Sequence, residues 1–407
     1  MDSVSLAYGY GWRNAGDMAI NEGSIQFINS LLPDTVPDVI SIHPEGTTEY
    51  ETAAAYLESD ELSYRLSGGP MQYDPKNQSA VEQAVSLSGD GMRYLLDRTK
   101  VSKFSEDLET EMAKTIRDSD FFFSNGGNLI HHKRSLSYLL GVLYPIQVAK
   151  QYDVPYGLLP HTIFDIEGRY EPLIRSILDG SEFVWTRDNR SYEYLTSEFP
   201  LKCPIRNGID TAFFTNSTNE TNAADGDRIA VVPRFSTLGD TGELEDDETE
   251  AEFKRFVSRL ADRGYDVQLT VQTKVEEEWV DENPALLRED GVEVFKSFSP
   301  KELRTHYQDV DMLVTMRLHA GIFALSVGTP SVGLYRDEWG PKTPGTWENL
   351  DIEEYALTCE EMSVEPLLEM CEEILDNQTE LGERITRNID EKKEYMIEET
   401  QSLMNAP

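Results

Sequence analysis

The sequence predicts an α/β protein built from two Rossmann-like halves and a helical tail, and three observations carry that expectation. Short apolar segments alternate with helix-period segments almost from end to end, the pattern of parallel sheets covered by helices. The alternation lapses at Asn216–Asp227 (NSTNETNAADGD), which holds no large apolar residue, and then resumes. With 407 residues, 39% of them hydrophobic and 10% aromatic, the chain has material for two packed cores, since a domain takes roughly 100–200 residues.

In the first half Val4–Tyr8 reads as a strand, Gly9–Gly16 as a glycine-bearing loop, Asp17–Leu31 as a helix and Val39–His43 as the next strand. Glu45–Ser88 is mixed and polar and yields no assignment. Phe121–Ser124 is a short apolar strand, followed by a Gly126-Gly127 turn, a helix through Leu136–Lys150 and strands at Tyr156–Leu159 and Phe183–Thr186. Past the lapse come strand Arg228–Pro233, helix Glu248–Arg263 closed by Gly264, strand Tyr265–Gln272, a helix near Glu276–Leu287 and strand Val292–Phe298. The carboxylates of Gly239–Glu252 read as a solvated surface turn. Ser299-Pro300-Lys301-Glu302 supplies a cap, a first-turn proline and a capping-box glutamate for the next helix. Strand Met312–Thr315, helix Arg317–Val327 and strand Ser331–Tyr335 complete the second unit. From Val364 to Met404 the chain is helical, with Val364, Leu367, Leu368, Cys371, Ile374 and Leu375 at helix spacing. The expected division is residues 1–215, a linker at 216–227, a second domain at 228–375, and a C-terminal helix at 376–407 packing back on the first domain. Two such domains and a tail suggest a glycosyltransferase-B-like arrangement, with the ligand in the cleft between them.

Charge narrows the partners. Against 75 Asp+Glu stand 36 Lys+Arg, a net charge of −39, which opposes association with nucleic acid or an anionic membrane surface. No apolar run reaches the ~18 residues of a membrane span, and Met1–Ser5 has neither the basic start nor the apolar stretch of an export signal, so a cytoplasmic protein is expected. Cys203, Cys359 and Cys371 lie far apart with no Cys-x-x-Cys spacing, which reads as core packing in a reducing compartment rather than a disulfide or zinc framework. Only 14 Lys stand beside 22 Arg, and scarce lysine with abundant carboxylate is the composition of a protein working in concentrated salt. There the Debye length falls to ~3 Å, so an anionic ligand has to be held by direct contacts rather than steered from afar.

The segment Val310–Gly321 runs strand, turn, helix, and ligands of open parallel sheets bind outside the carboxyl ends of strands, where a helix N-terminus offers unpaired N–H groups to an anion. Arg317 and His319 occupy that first turn, so a phosphate or carboxylate there could meet backbone N–H groups, a guanidinium and an imidazole together; the alternative is a buried Arg–Asp pair and a core histidine. Arg187 follows a first-domain strand and reads either as an anion ligand or as a local surface partner of Asp188. Arg234 follows Val231-Val232-Pro233 in the same way, and Lys342 lies in a Gly/Pro loop beyond Ser331–Tyr335. Asp17, after Gly9-Tyr10-Gly11-Trp12-Arg13-Asn14-Ala15-Gly16, either caps the helix or accepts a sugar hydroxyl. Ser124-Asn125-Gly126-Gly127-Asn128 is a flexible turn at a strand end, with His131 and His132 beyond it, of which at most one is a contact. No phosphate-binding Gly-x-x-x-x-Gly-Lys, His-Glu-x-x-His or Gly-x-Ser-x-Gly motif is present, and no carboxylate cluster reads as a metal site.

Four segments together resemble the polysaccharide pyruvyltransferase family: Gly9–Asp17 (GYGWRNAGD), Asn125–Asn128 (NGGN), Thr186–Ser191 (TRDNRS) and Met316–Lys342. The resemblance implies a glycosyltransferase-B-like fold and transfer of the enolpyruvyl portion of phosphoenolpyruvate to a saccharide or lipid-linked glycan, commonly as a cyclic ketal on two hydroxyls, with no cofactor. It implies that Arg317, Leu318 and His319 contact phosphoenolpyruvate and that Arg187 and Lys342 are further anion ligands; His319 is then expected to be the catalytic acid or phosphate contact, and Arg234, from its strand-end position, a further substrate-binding residue. Asn14, Asp17, Gly126, Gly127, Asn128, His132 and His161 then fall on the cleft and acceptor side. A glycine-rich stretch common in bacterial relatives stands here as Gly157-Leu158-Leu159-Pro160-His161-Thr162, which implies an altered acceptor side.

Two other functions are compatible with the fold: a nucleotide-sugar glycosyltransferase, and a non-catalytic glycan-binding paralogue. Whichever holds, the acidity sets a solution property. Dialysis out of molar salt is expected to abolish the far-UV circular dichroism; full secondary structure at low salt would contradict a halophilic origin.

Overall fold

A computed structural model of the chain describes residues 1–9, 14–58, 62–69, 110–131, 136–215, 228–235 and 247–405. Among these residues the strands form two wholly parallel sheets. The first comprises β1 (Val4–Gly9), β2 (Asp38–Ser41), β3 (Arg65–Ser67), β4 (Phe121–Ser124), β5 (Gly127–His131), β6 (Tyr156–Phe164), β7 (Phe183–Thr186) and β8 (Ile205–Asn207), ordered β3-β2-β1-β4-β6-β7-β8 with β5 beside β6. The second comprises β9 (Arg228–Val232), β10 (Asp266–Val271), β11 (Val292–Lys296), β12 (Met312–Thr315), β13 (Ser331–Tyr335) and β14 (Ala356–Thr358), ordered β11-β10-β9-β12-β13-β14. Both orders reverse beside their first strand, at β1/β4 and β9/β12, and such switch points open a crevice at the carboxyl ends of the strands.

The helices of the first half are α1 (Ala15–Leu31), α2 (Thr48–Glu58), α3 (Glu111–Arg117), α4 (Leu136–Gln151), α5 (Glu171–Leu178) and α6 (Asn189–Glu193). Those of the second are α7 (Asp247–Asp262), α8 (Lys274–Glu282), α9 (Pro300–Gln308), α10 (Leu318–Ser326), α11 (Lys342–Asn349), α12 (Val364–Asp376) and α13 (Gln378–Met404). Strands with apolar side chains on both faces become central because helices cover each side, as at β9 and β12, where Ile229–Val232 and Met312–Thr315 are buried throughout. Alternation along Phe121-Phe122-Phe123 sends Phe121 and Phe123 to one apolar cluster and Phe122 to another. The first of these clusters is continuous across both halves, holding Val4, Phe27 and Phe213 together with Val231, Phe323 and Trp347.

Four strands have the bounds expected: Phe121–Ser124, Phe183–Thr186, Met312–Thr315 and Ser331–Tyr335. Elsewhere local chemistry moved the boundaries. The expected Gly126-Gly127 turn is shorter, because Gly127 already pairs with His161 and opens β5, while a side chain at Gly126 would collide with the Pro160 carbonyl. Strand β6 runs on to Phe164, so His161 and Thr162 are strand residues. Helix α8 starts at Lys274, ahead of Glu276, because Thr273 caps it with Glu276 closing a capping box. No such box forms at Ser299; the Glu302 carboxylate takes the Ser297 hydroxyl at 2.6 Å instead. Lys342 opens α11 rather than sitting in a loop, and the tail breaks into two helices at Asn377. The unassigned Glu45–Ser88 region contains α2 and β3. The linker 216–227, residues 236–246 of the acidic loop and His132 lie outside the described residues.

The halves are joined at several levels. Helix α13 starts against the second sheet, where Gln378 donates to the Asp311 carbonyl (2.9 Å). It ends against the first, where the Trp185 indole donates to Thr400 (3.1 Å) and Arg206 pairs with Glu399 (2.6 Å). Arg190 of α6 pairs with Glu348 of α11 at 2.8 Å. Deeper, Arg304 of α9 meets Glu22 of α1 at 2.9 Å, both side chains at most 6% exposed, and the Tyr56 hydroxyl donates to the same carboxylate at 2.8 Å. Removing one partner of such a pair strands a buried charge. Glu22→Gln is therefore expected to lose about 3–5 kcal/mol of unfolding free energy in denaturant titrations at fixed salt. The double variant Glu22→Gln/Arg304→Met should regain most of it, and a single-variant loss below about 1 kcal/mol would contradict the assignment.

Candidate functional site

The carboxyl ends of β6, β7 and β12 converge with the N-termini of α1 and α10 on the seam between the halves. Arg317, in extended conformation, is the N-cap of α10, Leu318 its first residue and His319 its second. Across the seam the His319 ring lies directly against Gly16, in the first turn of α1, and a Cβ on Gly16 would overlap the ring. That overlap is the physical reason for a glycine in the Asn14–Asp17 segment. Asn14 caps α1, its side-chain oxygen accepting the Gly16 N–H at 3.0 Å, so the capping expected of Asp17 belongs to Asn14; Asp17 follows in the same turn.

Arg187 is 2% exposed and held by two interior groups. Its Nη1 donates to Asp210 Oδ2 at 2.6 Å and its Nε to the Thr162 hydroxyl at 2.9 Å. Thr162 in turn donates to Asp188 at 2.7 Å, and Asp188 accepts the Ser191 N–H as the cap of α6. The expected surface pairing of Arg187 with Asp188 is thus replaced by a buried relay, because β6 extends far enough to place Thr162 between them. Burial raises the Asp188 carboxyl above its ordinary value despite the opposing hydrogen bonds from Thr162 and Ser191. Asp210 behaves in the opposite way. Burial by itself would raise its carboxyl, but the Arg187 guanidinium, His319 and the Ala212 N–H overcome that and hold it well below the usual carboxylate range.

The same Asp210 Oδ2 lies 3.7 Å from His319 Nε2, within ion-pair range and beyond a hydrogen bond. Asp210 was invisible in the sequence, where Asp210-Thr211-Ala212 reads as an ordinary cap; its Oδ1 does accept the Ala212 N–H at 2.9 Å. His161 is wholly buried with Nδ1 2.5 Å from the Leu159 carbonyl, so Nδ1–H donates and Nε2 carries the lone pair, without a hydrogen-bond partner. Burial pushes this imidazole down to about 4, with the Arg187 charge adding to the effect, so it is neutral near pH 7.

In the second half the Arg317 guanidinium turns to Glu276, with Nε at 2.7 Å and Nη2 at 2.6 Å from Oε1. Glu276 is itself fully buried and accepts the Thr273 N–H at 2.6 Å. Arg317 is thereby ion-paired as the sequence allowed, but with a distant glutamate in place of the expected aspartate, and 19% of its side chain is still exposed. Among the described residues neither Arg187 Nη2 nor Arg317 Nη1 has a hydrogen-bond partner. Arg234 stacks over Trp339 at 4.4 Å, which ties the end of β9 to the loop that leads into Lys342. Gly340 in that loop, at φ 80°, packs on the Phe164 ring of β6, another contact between halves that a Cβ would block.

The Asn125–Asn128 turn contributes structure first. Asn125 is 1% exposed; its amide donates to the Tyr8 carbonyl (2.8 Å) and Asn21 (3.1 Å), and its oxygen accepts from Ser24 (2.7 Å) and Gly126 N–H (2.9 Å). Asn128 Oδ1 is buried without a hydrogen-bond partner. The structure thus gathers Arg187, His319, His161 and the Asn14–Asp17 turn around Asp210, holds Arg317 on Glu276, and groups Arg234 with the loop of Lys342. A separate open groove of about 700 Å³, lined by Arg190, Glu193, Glu198, Glu348 and Asp351 among others, includes none of these residues. Among the described residues no three His, Cys, Asp or Glu side chains assemble as a metal site.

A sequence model of the polysaccharide pyruvyl transferase family matches residues 14–338, most of the chain. No curated protein sequence matches it significantly. Among solved structures, a glycosyltransferase from Rickettsia africae is similar with a TM-score of 0.56 at 12% identity, over 100% of this chain and 99% of that one. The UDP-GlcNAc 2-epimerase from Neisseria meningitidis, solved bound to UDP-GlcNAc, is similar with a TM-score of 0.57 at 12% identity, over 100% of both chains. At such identity the likeness is one of fold, the glycosyltransferase-B arrangement of two α/β domains.

The buried imidazoles make stability depend on pH. His161 and His306, the latter stacked on Phe295 at 3.8 Å, are lowered by burial from 6.5 to about 4. Above pH 6.5 both states are neutral and the full contribution is present; as pH falls toward 4 the unfolded chain takes up protons that the folded chain refuses, and stability drops. The drop is on the order of 3 kcal/mol for each. Subtracting the pH profile of His161→Gln from that of the native chain isolates the His161 part from the carboxylates, and a flat difference between pH 7 and 4.5 would contradict it.

Proposed function

The chain belongs to the polysaccharide pyruvyl transferase family, and from that premise we propose that it transfers the enolpyruvyl portion of phosphoenolpyruvate to saccharide hydroxyls, forming a pyruvate ketal on a surface glycan or its lipid-linked precursor. The observation that carries this reading is the meeting of Arg187 and His319, one from each half, on a single buried carboxylate between two helix N-termini. Guanidinium forks suit the phosphate and carboxylate of such a donor, and Lys342 and Arg234 add point and stacked charges at the next strand ends.

In the overall change both acceptor oxygens bond to C2 and the C2–O bond to phosphate breaks. One hydroxyl proton ends on C3, which becomes the methyl group, and the other on the released phosphate. C2 gains cationic character as phosphate departs, and protonated His319 lends its proton or its charge to the leaving group. The donor is a soluble metabolite and among the described residues no helix is long and apolar enough to cross a membrane, which supports a cytoplasmic site of action. The acidity of the chain supports a salt-rich one.

Incubation in molar salt with phosphoenolpyruvate and a panel of glycans is expected to release phosphate and to give carboxyethylidene-bearing products by mass spectrometry. His319→Ala should cut turnover by roughly 10²–10⁴-fold, and Arg187→Lys and Arg317→Ala should each weaken phosphoenolpyruvate binding at least about tenfold. Turnover of nucleotide-sugars with none of phosphoenolpyruvate would replace the proposal with glycosyl transfer.

A further inference from the structure

We propose that Asp210 is the positioning residue for His319: its Oδ2, shared with Arg187, receives the imidazole Nε2–H and leaves Nδ1 as the nitrogen that faces the donor. The inference rests on the reading of His319 as the group that meets the departing phosphate, and it adds a residue and an atom to that reading.

Three features make Asp210 suitable. It is rigid: Oδ1 is committed to the Ala212 N–H, and the turn that follows is wedged against α1, where the Thr211 hydroxyl lies 2.9 Å from that of Ser24 and a Cβ on Gly23 would collide with the Thr211 carbonyl. It is charged, with the Arg187 guanidinium 2.6 Å away in a site 2% exposed. And it is aimed, because His319 Nε2 is buried, lacks a hydrogen bond, and sits 3.7 Å from Oδ2, so a shift of under an ångström completes the bond. With Nε2 so directed, Nδ1 lies against Gly16, in the first turn of α1.

The surrounding charges leave the task to His319. Arg187 is balanced by Asp210 and Arg317 by Glu276, His161 is neutral, and Asp17 stands in the α1 turn. As the C2–O bond breaks, Nδ1 gives its proton to the departing phosphate oxygen, which keeps the electron pair; the proton freed when the second hydroxyl bonds to C2 returns to Nδ1. Nε2–H stays on Asp210 throughout. This is the orienting role of a buried carboxylate behind a working imidazole.

The test has a readout that needs no donor. Nitrogen-15 spectra of histidine-labelled native protein in molar salt at alkaline pH are expected to show His319 with a slowly exchanging proton on Nε2 and a bare Nδ1. The slow proton should vanish in Asp210→Asn. A ring protonated on Nδ1 with Nε2 bare overturns the proposal on the native protein alone, whether or not the variant folds. With substrates, Asp210→Asn should lower kcat by roughly 10²–10⁴-fold, shift the alkaline limb of its pH profile to lower pH, and change the phosphoenolpyruvate KM by no more than a few-fold. Equal losses in kcat and KM with an unshifted profile would mean a structural role and overturn it. The expected spectrum without phosphoenolpyruvate turnover retires the donor and keeps Asp210; turnover without the spectrum retires Asp210 and keeps the donor.

Discussion

A guanidinium that is 2% exposed needs a counter-charge, and Arg187 finds it in Asp210 at 2.6 Å. The rest of the seam follows from that pair. Asp210 is fixed by its own cap, Arg187 by Thr162, and Thr162 by Asp188, so the ends of β6 and β7, the start of α6 and the turn at Thr211–Phe214 form one hydrogen-bonded block. His319 reaches this block from the other half, and only the missing side chain of Gly16 allows it that close. A polar network this deep is costly to break, which keeps the block formed by Asp210, Arg187, Thr162 and Asp188 in place.

The charge pattern resolves an apparent conflict between a chain of net charge −39 and the anionic donor proposed for it. Neither arginine at the candidate site carries an unbalanced charge, because Asp210 and Glu276 each lie within ion-pair distance. What the site presents to an anion is therefore fixed donors and helix N-termini rather than a strong positive field. Such contacts act at short range and are hardly screened, whereas a long-range field would be lost at the ~3 Å Debye length of molar salt. The acidity and the site chemistry are in this way independent of each other.

How much of this could be read from the residues depends on the range of the interaction. The central strands were legible because burial on both faces demands a continuous apolar run, as in Phe121–Ser124 and Met312–Thr315. The first turn of α10 was legible because Arg317 and His319 follow a strand end directly. Lys342 was misplaced into a loop because Pro341 and Gly340 look like breakers, while proline just ahead of a helix is also a start signal. The length of β6 was missed because Pro160 interrupts its pattern, and with it went the burial of His161 and the relay through Thr162. Asp210 and Glu276 were beyond reach for a different reason: each does an ordinary local capping job, and its second role exists only once distant segments meet.

The contacts between the halves also differ in how they respond to salt. Arg190–Glu348 and Arg206–Glu399 keep roughly a quarter to two-fifths of their side chains exposed, so they contribute little and less still in concentrated salt. Glu22–Arg304, at most 6% exposed, and the apolar cluster that runs from Phe27 and Phe213 to Phe323 are insensitive to ionic strength by comparison. The relative placement of α1 and α10, and with it the distance from Asp210 to His319, therefore depends on buried packing rather than on the surface pairs. Where salt screens the surface pairs, the two helix N-termini still have to be held in register across the seam, and the buried Glu22–Arg304 pair and the shared apolar cluster can do so without them.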